Sequence, residues 1–387
     1  MVIEPKVRGF ICITAHPVGC KENVRQQIEY AKAQAKKEKA PKKVLVIGSS
    51  TGYGLASRIS AAYIGGADTL GVCFEKESNG KRTATAGYYN TISFEEFAKA
   101  DGLYAKTING DAFSKEIKDE VIETIKSDMG QVDMVIYSLA APRRGMTDGT
   151  VYQSTLKTVG APFTEKTWNV DKDTISEVTI EAATAEEIEG TVKVMGGEDW
   201  SDWIEALDEA GVLAKDAITL AYSYIGPKLT YPIYTEGTIG LAKTNLYESS
   251  LKINEAHKAN GIKAYISVNK ALVTQASSAI PIVPLYFSIL YKVMKEKNIH
   301  EGCIEQMSRL YTEKLFDEGV KTDENGMIRL DDWEMREDVQ KAVMDIWPTI
   351  TTENLKELSD TEGYHSDFLR MFGFGIDGVD YAADVEI

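Results

Sequence analysis

Along residues 43–270, short apolar and β-branched runs alternate with longer stretches whose apolar positions recur at helical spacing. The run at 44–47, Val-Leu-Val-Ile, has none of the polar alternation of a half-exposed strand. It reads as a central parallel strand, covered on both faces. Further strands are expected at 69–74, 104–108, 132–139, 218–222 and 264–268. A helix is expected over 54–63, stopped by Gly65 and Gly66, and another from Ser114, a good N-cap with Glu116 close behind. This order predicts an α/β fold, a Rossmann-type doubly wound parallel sheet.

Two segments exceed a minimal fold of this kind. An insertion at about 144–215, between strands four and five, mixes Thr-rich β-like stretches with a helical piece, AEEIEGTVKVM, and the sequence GGEDW. The extension at about 300–387 reads as helical and acidic, with WEMREDVQKAVMDIW as an amphipathic run. No Pro/Gly/Ser linker sets either apart, so residues 1–387 are expected to form one domain. The charge run KKEKAPKK reads as a solvated helix end. The most apolar stretch, 280–294, carries Pro281, Pro284 and Ser288 and falls short of the roughly 20 residues that cross a bilayer. It predicts a buried or pocket-lining helix.

Charge narrows the function. A net charge of −16 over 387 residues excludes a general nucleic-acid binder, which needs an excess of Lys and Arg. It leaves room for an anionic cofactor, which needs only local donors. Cys12, Cys20, Cys73 and Cys303 show no metal-ligand spacing, and His16 with Cys20 supplies only two ligands, so no metal site is expected. The start, MVIEPKVRGF, has acid and proline where a signal peptide has an apolar run. A cytoplasmic protein without stable membrane insertion is expected.

The chemistry concentrates at strand ends. VLVIGSSTGYGLASRI places Gly48, Gly52 and Gly54 between a strand and a helix, where backbone N–H groups favour a pyrophosphate. Gly48, Ser49, Ser50, Thr51, Gly52 and Tyr53 therefore border the expected dinucleotide. Phe74 and Glu75 close the next strand about twenty positions on, where a carboxylate takes both ribose hydroxyls of NADH and repels a 2′-phosphate. Asp111 and Ala112 are placed for the adenine, with an N-cap role for Asp111 as the alternative. Leu139 and Ala140 would border the nicotinamide ribose. Beyond strand five, YSYIG brings Tyr224, and YTEGTIGLAK brings Tyr234 and Lys243 with eight residues between them. A phenol and an ammonium after a nucleotide turn point to hydride transfer with an oxyanion to stabilise.

The set GSSTGYG, CFEK, NGDAF, YSLAAPRR, KVMGGEDW, AYSYIGP, Y-x8-K and SVNKALVTQASSAIP resembles the trans-2-enoyl-CoA / enoyl-[acyl-carrier-protein] reductase family, long relatives of the short-chain dehydrogenases. Ordinary short-chain dehydrogenases separate the Tyr and Lys by three residues, and the short enoyl reductases by six. The resemblance implies NADH as donor, an enoyl-CoA or enoyl-acyl-carrier-protein as acceptor, and Tyr234 as the acid. It also implies Lys243 on the nicotinamide ribose, lowering the Tyr pKa by its charge. Tyr224 would offer a second phenol to the thioester carbonyl, or else serve as core. Leu272, Val273 and Thr274 would close over the nicotinamide and pyrophosphate, and PIVPLYFSILYKVM would wall an acyl chain. Arg143 and Arg144 would meet a CoA phosphate or an acidic carrier, or be merely solvated. A carbonyl reductase or alcohol dehydrogenase and a non-catalytic NAD-binding sensor are the competing readings. A monomer or weak dimer is expected, and the acidity leans toward CoA over an acidic carrier.

Overall fold

The computed structural model describes residues 1–9 and 11–387. Among them, seven strands form one parallel sheet: β1 Lys43–Ile47, β2 Asp68–Cys73, β3 Ala105–Asn109, β4 Val132–Tyr137, β5 Leu213–Ser223, β6 Lys263–Val268 and β7 Ile328–Arg329. They lie in the order β7-β6-β5-β4-β1-β2-β3, every pairing parallel. The expected Rossmann-type α/β fold is the one observed. β7 was not expected, because the extension reads as helical throughout. Two residues are too few to show a period, and they are held by pairing with Ser267 and Val268.

The helices of seven or more residues are α1 Pro17–Lys32, α2 Gly52–Ser60, α3 Ala86–Ala100, α4 Lys115–Thr124, α5 Ala185–Met195, α6 Glu198–Glu209, α7 Thr238–Ala256, α8 Val283–Glu296, α9 Cys303–Arg309, α10 Glu337–Ile346 and α11 Thr361–Arg370. The uninterrupted apolar run of β1 divides its side chains by parity. Val44 and Val46 face a cluster with α1, α2, α3 and α9, while Leu45 and Ile47 face one with α4, α6 and α7. All four are fully buried, each contributing about 1.5–3 kcal/mol of transfer free energy. A third cluster joins α8, the C-terminal extension, Tyr234 and residues 271–273.

The insertion supplies two hairpins, Arg143–Gly145 with Val151–Gln153 and Phe163–Asn169 with Thr174–Ile180, followed by α5 and α6. A capping box explains where α5 starts: Thr184 accepts from the Glu187 N–H while Glu187 accepts from the Thr184 N–H. The second hairpin meets the C-terminal extension. Lys166 Nζ donates to the carbonyls of Trp347, Pro348 and Ile350, and Trp168 stacks edge-on to Tyr364 with centroids 5.0 Å apart.

Several boundaries differ from expectation, and β5 begins at Leu213, inside the insertion expected to reach about 215. KKEKAPKK is a loop leading into β1, since α1 stops at Lys32. The amphipathic run is helical only from Glu337 and yields to a short turn at Trp347–Thr349. α8 begins at Val283, after Ile282 takes φ 70° and ψ −42°, a well that β-branched residues occupy only under restraint.

Candidate active site

The sheet order reverses between β1 and β4, and a crevice for a ligand is expected beyond their carboxyl ends. Gly48 makes the turn out of β1 with φ 82°. A Cβ there would lie 2.0 Å from the Ser138 carbonyl oxygen, so any side chain would drive the turn away from β4. α2 then begins with N-cap Thr51 making no side-chain cap bond and with no acid in the first turn. Its leading N–H groups are open to an anion. Beyond β2, half-buried Glu75 accepts from Ser50 Oγ at 2.6 Å. Asn109 grips the Glu75 main chain in both directions, at 2.8 and 2.9 Å. A Cβ on Gly87 would lie 2.1 Å from Glu75 Oε1, so glycine there leaves the carboxylate its place. Phe74 beside it is 77% exposed, a free aromatic face at the same rim.

Asp111 folds its own loop, accepting from the Phe113 N–H at 3.0 Å, and Ser114 caps α4 instead. Ala112 is buried, and its carbonyl accepts from Lys118 Nζ at 3.2 Å and Trp203 Nε1 at 3.1 Å. Lys118 also bonds Asp199 at 2.7 Å, and Asp199 accepts from the Tyr137 hydroxyl at 3.0 Å. Burial raises the Asp199 pKa. GGEDW thus starts α6, whose Asp199 and Trp203 hold the expected adenine loop. Sequence reasoning gave these residues no role, although an Asp beside a Trp at a helix start is a visible signal. Arg144 is corrected. It is 4% exposed and bonds the Lys193 carbonyl and Asp202, so it is neither solvated nor free for a CoA phosphate.

At the reacting end, Tyr224 and Tyr234 meet edge to face, with centroids 4.9 Å apart. Backbone bonds from Tyr234 N to the Thr230 carbonyl and from Gly237 N to the Tyr234 carbonyl set a turn before α7. That turn fills the long gap: Tyr234 precedes the helix and Lys243 sits in its second turn. The Tyr234 side chain is 9% exposed and packs in the third cluster. Burial of the phenol raises its pKa, opposite to the lowering expected from Lys243. Lys243 Nζ donates to the Tyr222 carbonyl at 2.9 Å, and desolvation lowers its pKa to about 8. Tyr224 is committed elsewhere. Its hydroxyl donates to Glu334 Oε1 at 2.9 Å and cannot donate to a thioester at the same time.

The loop after β6 closes this end. Tyr53 donates to the Lys270 carbonyl at 2.8 Å, Val273 N donates to Tyr291, and a Cβ on Gly52 would lie 3.9 Å from Thr274 Cγ2. Leu272 and Val273 are buried, and Thr274 forms a local turn with Ser277. Leu139 is half-buried and Ala140 exposed beyond β4. Two surface cavities lie apart from these residues. One of about 420 Å³ lies among Lys32, Lys36, Lys42 and Asp101 at the amino ends of the strands, and one of about 520 Å³ lies between the chain ends. Among the described residues there is no cluster of metal-ligating side chains, and no helix is long and apolar enough to cross a membrane.

The open α2 terminus, the carboxylate beyond β2 and the Lys243 ammonium, which no carboxylate pairs among the described residues, offer donors and an acceptor that suit a dinucleotide. Fold and site therefore define a dinucleotide-dependent oxidoreductase of Rossmann type. Family models agree: "NAD(P)H binding domain of trans-2-enoyl-CoA reductase" matches residues 2–80, "Trans-2-enoyl-CoA reductase catalytic region" 82–316 and "Enoyl reductase FAD binding domain" 322–385. A Clostridium perfringens protein named trans-2-enoyl-CoA reductase (NADH) is 60% identical, the alignment covering 100% of this chain and 99% of that one. An Opitutus terrae enoyl-[acyl-carrier-protein] reductase (NADH) is 56% identical over 100% and 98%. The crystal structure of a Clostridium acetobutulicum trans-2-enoyl-CoA reductase in complex with NADH superposes with a TM-score of 0.97 at 49% identity, covering 100% and 98%. The chain belongs to the trans-2-enoyl-CoA reductase family.

The last of those descriptions calls for a flavin test, and residues 322–385 do not fit one. α10 carries Glu337 and Asp338 in its first turn, and α11 has Asp360 capping Gly363 N with Glu362 behind it. Both helix starts repel a pyrophosphate. Arg329, Arg336, Lys341 and Lys356 are each already paired with an aspartate, and Arg370 donates to Gln26 Oε1 at 3.2 Å.

Proposed function

We propose that this chain reduces the 2,3 double bond of trans-2-enoyl thioesters with NADH, and that Tyr234 is its acid. The observation that carries the reading is a protonated phenol without a hydrogen-bond partner among the described residues. It lies beside Tyr224, in the turn leading to Lys243. NADH, when bound, supplies the hydride for the β-carbon. Negative charge then develops on the thioester oxygen, and the Tyr234 hydroxyl donates a hydrogen bond to it, stabilising the enolate. A raised pKa suits this role, because the phenol holds its proton until that charge appears. Collapse of the enolate takes a solvent-derived proton at the α-carbon, and the hydrogen-bonded proton stays with the Tyr234 phenol. Lys243 keeps N–H groups for ribose hydroxyls beyond its one bond to the Tyr222 carbonyl. Glu75, fixed by Ser50 and Asn109, accepts from the adenine-side ribose and disfavours a 2′-phosphate. Buried apolar residues of α8, Leu285, Phe287 and Ile289 among them, exclude water on the acyl side.

We infer a cytoplasmic setting, supported by four unpaired cysteines, and CoA thioesters as the working substrate. A net charge of −16 disfavours an acidic carrier by long-range repulsion. Mixing the purified protein with NADH and crotonyl-CoA and following nicotinamide absorbance tests the reading. Steady oxidation is expected. Oxidation with ketones but not with crotonyl-CoA would point to a carbonyl reductase, and NADH binding without turnover to a sensor.

A further inference from the structure

Glu334, from the C-terminal extension, is fully buried, and three donors converge on its carboxylate. Oε1 accepts from the hydroxyls of Tyr224 at 2.9 Å and Tyr286 at 2.7 Å, and Oε2 accepts from Ala271 N at 2.7 Å. Gln340 donates to Tyr286 at 3.1 Å and to the Glu334 carbonyl at 2.8 Å, fixing the group from behind. One carboxylate therefore links three elements: the strand end carrying Tyr224, helix α8 carrying Tyr286, and the loop at 271–274. Burial raises the Glu334 pKa, while the Ala271 N–H, the two phenols and the nearby Lys270 ammonium oppose that shift and favour an ionised carboxylate, which can only accept. Tyr224 consequently points its only proton away from its ring neighbour Tyr234.

We propose that Glu334 is a positioning residue that fixes the donor direction of Tyr224 and anchors the 271–274 loop, leaving Tyr234 as the one phenol of the pair free to donate to substrate. The proposal rests on Tyr234 being the acid of the enoyl reduction. It gives a chemical reason why two adjacent tyrosines are not equivalent: both are aromatic walls, but one has a carboxylate behind it. A glutamine at 334 reverses that polarity. Its amide oxygen can still accept from Ala271 N, while its NH₂ faces the phenols and donates to them. Tyr224 is then turned from donor to acceptor, and its freed proton competes with that of Tyr234 for the same oxygen.

The test compares Glu334→Gln, Tyr224→Phe and the double variant with the parent, using NADH and crotonyl-CoA and measuring NADH affinity by fluorescence. Glu334→Gln is expected to lower kcat by about tenfold or more with little change in NADH affinity, consistent with misplaced acid–base geometry. Tyr224→Phe is expected to lose only a few-fold, and the double variant to fall no further than Glu334→Gln alone, because residues acting as a unit are not additive. Parent-level kcat in Glu334→Gln, or losses that multiply in the double variant, would overturn the proposal. So would a Tyr224→Phe loss as deep as that of Tyr234→Phe, and this arm stands even if Glu334→Gln fails to fold. A parent inactive on every enoyl thioester would refute the functional reading instead. Amide exchange then judges Glu334 separately: in Glu334→Ala the 271–274 loop should exchange faster, and unchanged exchange would overturn the anchor.

Discussion

At the residue scale, turnover depends on which groups hold protons. Tyr234→Phe removes the donor while keeping the ring against Tyr224, so kcat should fall roughly 10²–10⁴-fold with NADH affinity intact. Weakened NADH binding in that variant would contradict the role. Lys243 sets the alkaline limb. Its folded pKa, lowered to about 8, means that the ammonium is present below that pH and lost as pH rises through it. The kcat/KM profile should therefore decline above about pH 8, whereas a profile flat to pH 10 would remove the ammonium from the mechanism. Glu75→Ala should raise the NADPH/NADH ratio of kcat/KM, and an unchanged ratio would take Glu75 out of cofactor choice. The glycine turn, Glu75 and the Tyr234–Lys243 pair were visible in the sequence because each sits at a fixed offset from a strand or from its partner. Glu334 was not: it reaches Tyr224 across 110 positions, and no local spacing announces it.

At the element scale, the adenine side depends on α6. Lys118→Met would take from Asp199, 2% exposed, the nearer of its two cations and leave Arg144 at 3.9 Å. Breaking such a pair costs on the order of 3 kcal/mol. Thermal unfolding should shift down and KM for NADH should rise together, since the same ammonium holds the Ala112 and Phe113 carbonyls. A stability loss with no change in KM would mean that α6 supports the core only. The six longer strands were legible because fully apolar runs between helical patterns have few other readings. β7 escaped because it is set by pairing rather than by pattern. The lysine-rich loop before β1 was misread because a charge run carries no periodicity; α1 has already ended at Lys32, well before Pro41. The eight-residue gap is also an element-level fact, a turn placed between acid and helix.

At the scale of the whole molecule, the insertion and the C-terminal extension meet each other over α8, through Lys166 and Trp168, and the extension delivers Glu334 to the reacting end. Their presence was legible as excess length between and beyond the strands. Their mutual contact was not, because nothing in either segment names the other. Because residues 322–385 do not fit a flavin, the purified protein should show no flavin absorbance and gain no activity from added FAD; co-purifying flavin would contradict that. The central claim is conjugate reduction with hydride at the β-carbon and a proton at the α-carbon, and isotope placement tests it most directly. Crotonyl-CoA should be reduced with unlabelled NADH in deuterated water and the butyryl product examined by NMR. One deuterium is expected at the α-carbon and none at the β-carbon, with Tyr234→Phe forming little product. Solvent deuterium at the β-carbon, or a product reduced at the thioester carbonyl, would contradict it.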